Sequence, residues 1–99
     1  MKKRKISESY GVRWFSQTNL RREFDRWQAE KGISSEAEAL LRFYQETRRI
    51  KDGAVIQRSD MEKYLSGDVA YPRPRAQYSL CAVLGVDWSE LTTPLVREY

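Results

Sequence analysis

The sequence predicts a mainly α domain of four to five short helices, with a short strand or extended lead-in near the N-terminus. Three observations carry that expectation. Apolar residues recur at helical spacing in four separate stretches. Three starts match a capping box, Ser35 with Glu38, Ser59 with Glu62 and Asp87 with Glu90, in which side chains satisfy the free backbone donors of a first turn. Single glycines, Gly32, Gly67 and Gly85, stand where three of the apolar stretches end. A length of 99 residues makes this one domain, 10–99, behind a basic flexible arm, 1–9.

The elements follow in order. Residues 1–9 (MKKRKISES) have no apolar periodicity. Residues 10–17 alternate loosely, with Val12, Trp14 and Ser16 on one side and Arg13, Phe15 and Gln17 on the other. Thr18 and Asn19 offer N-caps to a helix over 20–31, whose stripe is Leu20, Phe24 and Trp27. Ser35 opens a second helix reaching about Arg49, with Ala37, Leu40, Leu41 and Tyr44 facing inward, and Asp52-Gly53 marks a turn. Ser59 opens a third, with Met61, Tyr64 and Leu65 on its apolar face. Pro72 and Pro74 force extended chain on their predecessors. A fourth helix over 75–84 turns Ala76, Leu80, Val83 and Leu84 inward, and a brief turn through Trp88 and Leu91 precedes Pro94. Trp14 and Trp88 are expected in the core or at a dimer interface.

Composition removes much chemistry. There is no histidine, so His-dependent triads and most transition-metal sites are excluded. The single cysteine, Cys81, cannot form an internal disulfide. Phosphate-binding and nucleophile-elbow glycine motifs are missing. Neither an enzyme nor a cofactor or metal is therefore expected. No apolar run nears the roughly 20 residues of a membrane span, and no apolar stretch follows the charged start as in a secretory signal. A cytoplasmic protein is expected, without membrane association.

The formal charge of +4 suggests an anionic partner. Lys2, Lys3, Arg4 and Lys5 supply it alone, and the rest of the chain is balanced. Within that balance, residues 6–58 are slightly basic and residues 59–99 slightly acidic. A nucleic-acid surface should thus lie on the arm and the first half.

The stretch GAVIQRSDMEKYLSGDVAYPRPRAQYSLCAVLGVDWSEL (53–91) carries the most information. It resembles the second half of a lambda-repressor-like helix-turn-helix domain. The matching elements are Val55-Ile56 for the turn, Gln57 to Ser66 for the recognition helix, Gly67, Pro72 or Pro74, and the closing Leu84-Gly85-Val86. Residues 20–44 resemble that family's first two helices, although 42–54 make a longer link than the family's tight turn. More weakly, residues 12–49 resemble ribbon-helix-helix repressors of the Arc and Met-repressor type. There a strand pairs with its copy and enters the major groove, which implies Arg13 and Gln17 as contacts. Phe15 departs from the polar pattern of such strands.

The helix-turn-helix resemblance implies a compact helix-turn-helix-like fold and a sequence-specific DNA-binding regulator, a homodimer on double-stranded DNA with a palindromic operator. Gln57, Arg58 and Ser59 take the base-reading positions, since glutamine pairs with adenine, arginine with guanine and serine with either. Lys63, one turn on, takes a phosphate, and Arg73 and Arg75 flank a loop suited to backbone contacts. Ser34 and Ser35 open a helix whose free N–H groups can hold a phosphate. Against a DNA-facing role stand Asp60 and Glu62 on the reading helix. The competing expectation is a protein-binding module, such as an antitoxin or phage-encoded inhibitor, on the same scaffold.

Overall fold

A short strand, β1 (Arg13–Phe15), leads into helix α1 (Gln17–Glu30), followed by α2 (Glu36–Thr47), α3 (Arg58–Ser66), α4 (Pro74–Leu84), a 3-10 turn (Trp88–Leu91) and a second strand, β2 (Thr92–Pro94). The structure is a computed structural model that describes residues 13–68 and 71–94. The arm and residues 10–12 lie outside the described residues.

β1 pairs antiparallel with β2 in the register Arg13↔Pro94, Trp14↔Thr93 and Phe15↔Thr92. The strand that the alternation suggested thus finds its partner within the chain. β2 itself had no signal, being three residues ending in a proline that only a sheet edge accommodates. This pairing also sets where α1 begins. The Ser16 N–H donates to the Leu91 carbonyl at 2.8 Å, which holds Ser16 extended. Its hydroxyl then accepts from the Asn19 N–H at 3.0 Å. The N-cap is therefore Ser16 rather than Thr18 or Asn19, and the helix starts three residues early.

Leu20, Phe24 and Trp27 of α1 are buried as their spacing predicts. On α2 the expectation fails in part. Its buried residues are Ala39, Leu40, Phe43 and Thr47, whereas Ala37 is exposed, Leu41 is 51% exposed and Tyr44 is half-buried. The helix carries two competing stripes, and the larger ring decides between them. Phe43 meets Phe24 and Trp27 edge-on, with ring centres 5.7 and 5.3 Å away. Three rings packed this way contribute beyond the area they bury. At the start of α2 half of the expected capping box forms: the Ser35 hydroxyl accepts from the Glu38 N–H at 3.1 Å, while the Glu38 side chain makes no return bond to the Ser35 N–H. Its end falls at Thr47, two residues short of Arg49.

α3 is capped by Gln57 without any side-chain bond, so Ser59 sits inside the first turn instead of opening it. The cause is tertiary. The buried Ile56 N–H donates to the Thr47 hydroxyl at 3.1 Å, and that hydroxyl donates to the Tyr44 carbonyl at 2.7 Å. The chain stays extended until this anchor releases it. Met61 and Leu65 then turn inward, and Gly67 ends the helix at φ +89°, where the Gln17 side chain leaves no room for a Cβ.

Pro74 occupies the first position of α4, where its missing N–H is no loss. Ala76, Leu80 and Leu84 are buried, and Val83 packs against the core half-buried. The capping box at Asp87 forms with both bonds, and Leu91 is buried behind it. Trp88 is half-buried and stacks on Phe15 at 6.0 Å, but Trp14 is 46% exposed, outside the core. No helix among the described residues is long and apolar enough to cross a membrane.

Candidate nucleic-acid interface

The long link between α2 and α3 does not part the two helices. After Thr47 the chain makes an excursion over residues 48–55 and returns at Ile56, where the Thr47 hydroxyl closes it. The outer face of α2 consequently lies beside the start of α3. Ala37, Glu38, Leu41 and Tyr44 from one side and Gln57 and Arg58 from the other line an open groove of about 570 Å³. Ala37, Leu41 and Tyr44, expected in the core with Leu40, instead form one wall of this groove.

Gln57, Arg58 and Ser59 are all exposed, and Lys63 is exposed one turn further on. With no side chain capping it, the first turn of α3 keeps backbone donors for an outside acceptor. Its charge is balanced. Arg58 Nε lies 3.6 Å from Glu62 Oε2, and both side chains are more than half exposed. Such a pair holds weakly, so the guanidinium can be re-aimed at small cost. Asp60 offsets Lys63.

Ser34 and Ser35 are exposed at the start of α2, where the Ser35 hydroxyl is engaged in capping. Glu36 beside them is bound by Arg21 at 2.7 Å, and that guanidinium holds its carboxyl below the usual range. Arg73 and Arg75 are exposed along a second cleft of about 780 Å³, between the excursion, α3 and the start of α4. Arg75 also donates to the Gly53 carbonyl at 3.3 Å.

Arg13 and Gln17 have structural partners. The Arg13 guanidinium donates to the Thr92 hydroxyl at 2.7 Å and to the Ser89 and Thr92 carbonyls at 3.3 and 3.2 Å. It thereby braces β1 against β2 and the 3-10 turn. Gln17 Nε2 donates to the Leu65 carbonyl at 2.7 Å, tying the start of α1 to the end of α3. Lys2, Lys3, Arg4 and Lys5 lie outside the described residues. Sequence reasoning passed over Arg48, Arg49 and Lys51, all exposed on the excursion. The signal was present, a run of cations in RRIK with one acid after it, but it fell across the expected end of the second helix and the link beyond it, where no contact was assigned.

Among the described residues no group of three or more Asp, Glu, Cys or His side chains could hold a metal. Burial, with the Asp87 and Glu90 carboxylates adding to it, pushes the Cys81 thiol up to about 11. It stays protonated at neutral pH, a poor nucleophile.

Fold and groove together define a small, mainly helical protein in which one helix presents its uncapped, exposed N-terminus beside the outer face of its predecessor. No protein-family model, curated protein or solved structure matches the chain.

Proposed function

We propose that the protein is a small sequence-specific DNA-binding regulator of the cytoplasm, working as a homodimer on a palindromic operator with α3 as the reading helix. One observation carries the reading. Gln57 and Arg58 stand exposed at the start of α3, across an open groove from α2, and the first residues of a helix in the major groove are the ones that address base edges. From there glutamine addresses adenine and arginine guanine. Ser59 and Lys63 follow along the same helix. A symmetric pair of half-sites compensates for the small surface one such module buries.

A second reading is favoured by Leu41, an apolar side chain more than half exposed in the same groove. Apolar exposure of this kind suits a protein partner better than a phosphate backbone.

The test starts from random duplexes, from which a preferred site is selected. On that site Arg58→Ala should cost about 1–3 kcal/mol and relax discrimination at one position per half-site. Lys63→Ala should weaken all sequences alike, as a phosphate contact does. If no sequence is enriched, or if both substitutions act alike, α3 is not a reader.

A further inference from the structure

The charge on α3 poses an electrostatic question for a DNA reader. Between Gln57 and Lys63 the cations Arg58 and Lys63 are matched by Asp60 and Glu62. A reader with no net charge supplies little of the phosphate attraction on which duplex affinity rests. That attraction has to come from another part of the surface.

Most arginines of the helices already have acids. Arg21, Arg22 and Arg26 on α1 lie 2.7 to 3.5 Å from Glu36, Asp25, Glu23 or Glu30, and Arg58 pairs with Glu62. The excursion between α2 and α3 brings three cations together without such acids, although Lys31, Arg42, Lys63, Arg73 and Arg75, spread over other elements, also have no ion pair among the described residues. Arg48, Arg49 and Lys51 are exposed, and none of them is ion-paired among the described residues. The acids nearest in sequence are Glu46, half-buried, and Asp52, at a positive φ of 69°.

The helix dipole favours a cation at the end of α2, and that accounts for Arg48. It does not account for Lys51, which lies beyond the last turn.

The excursion is also anchored. Thr47 and Ile56 close its base. The Ala54 N–H donates to the Arg75 carbonyl at 3.1 Å, and the buried Ser79 hydroxyl donates to the Ala54 carbonyl at 2.6 Å. Its cations thus stand on a braced frame, which lowers the ordering cost of a contact. One of them, Arg48, stands close to the rim of the reading groove as well. The Arg48 guanidinium lies 5.9 Å from the centre of the Tyr44 ring, and Tyr44 lines that groove.

We infer that residues 48–51 form a phosphate clamp, in which Arg48, Arg49 and Lys51 hold the backbone of double-stranded DNA beside the bases addressed by α3. The inference rests on the proposed DNA-binding function and divides its labour. α3 supplies sequence preference, and the excursion supplies charge-driven affinity.

The experiment measures binding of the full chain to a random duplex and to the preferred duplex between 50 and 200 mM salt, a range over which phosphate binding is strongly screened. It compares the wild type with Arg48→Gln/Arg49→Gln and with a charge-matched control, Arg22→Gln/Lys31→Gln, on another surface. Thermal melting verifies that both variants fold. For the excursion variant, affinity should fall by the same factor on both duplexes. Its salt slope should become shallower by up to about 1.8 log–log units, about 0.9 for each phosphate no longer neutralised. Preference between the duplexes should persist, and the control should keep the wild-type slope. An unchanged slope in the excursion variant overturns the clamp, as does a control whose slope falls as much. If the wild type shows an Arg58-dependent preference while its slope ignores the excursion, the clamp alone is wrong. If the wild type binds no duplex at 50 mM salt, clamp and reader fall together.

Discussion

α1 and α2 carry apolar triplets at the same spacing, Leu20, Phe24 and Trp27 on one and Ala37, Leu41 and Tyr44 on the other, yet they meet opposite fates. The first is sealed in the core, while the second forms the wall of an open groove. Spacing identifies a face without saying which way it points. α1 has no rival face, whereas α2 has a second stripe, Ala39, Leu40, Phe43 and Thr47, which the core takes. A helix with two apolar sides leaves one of them at the surface.

The comparison breaks most readily at its buried side. Trp27→Ala should destabilise the domain by about 3–5 kcal/mol, since a 3% exposed ring leaves a cavity between Phe24 and Phe43. Urea denaturation measures it, and a loss below about 1 kcal/mol would place Trp27 off the core. For a domain of this size the larger value approaches its whole stability.

Thr47→Val probes the joint between the two faces. Valine keeps the shape but removes the acceptor of the buried Ile56 N–H, which should cost about 1–3 kcal/mol. Hydrogen exchange at Ile56 should accelerate more than at Leu80, deep in α4. Equal acceleration at both would mean that the bond does not hold the joint locally.

The smallest effect is the sharpest. Leu41→Ala should change stability by no more than about 0.5 kcal/mol, because a side chain that is 51% exposed leaves little cavity. A destabilisation near that of Trp27→Ala would return Leu41 to the core and close the groove.

Much of the architecture was legible because local chemistry was decisive. Ser35, Gly67, Gly85 and the Asp87–Glu90 box act on neighbours in sequence, and each stands where expected. The failures have one physical character. The start of α1 was misplaced because Ser16 is set by Leu91, and the start of α3 because Ile56 is set by Thr47. In both cases a bond from a distant segment overruled a locally adequate cap. Of the candidate site, Gln57, Arg58 and Ser59 were legible as residues ahead of a short apolar-faced helix. Arg13 and Gln17 also read as candidates, but their partners, Thr92 and Leu65, lie far along the chain.

By itself the sequence determined that the chain makes short helices, where most of them stop, and that its charge is balanced outside the first five residues. Those properties follow from spacing, caps and composition, which act within a turn or two. Only the tertiary structure decided which stripe of α2 is buried, that β1 pairs with β2, and that the 48–55 excursion returns α3 to the side of α2. Each of those outcomes is a choice between locally equivalent options, settled by ring packing or a single buried hydrogen bond between segments that sequence order keeps apart.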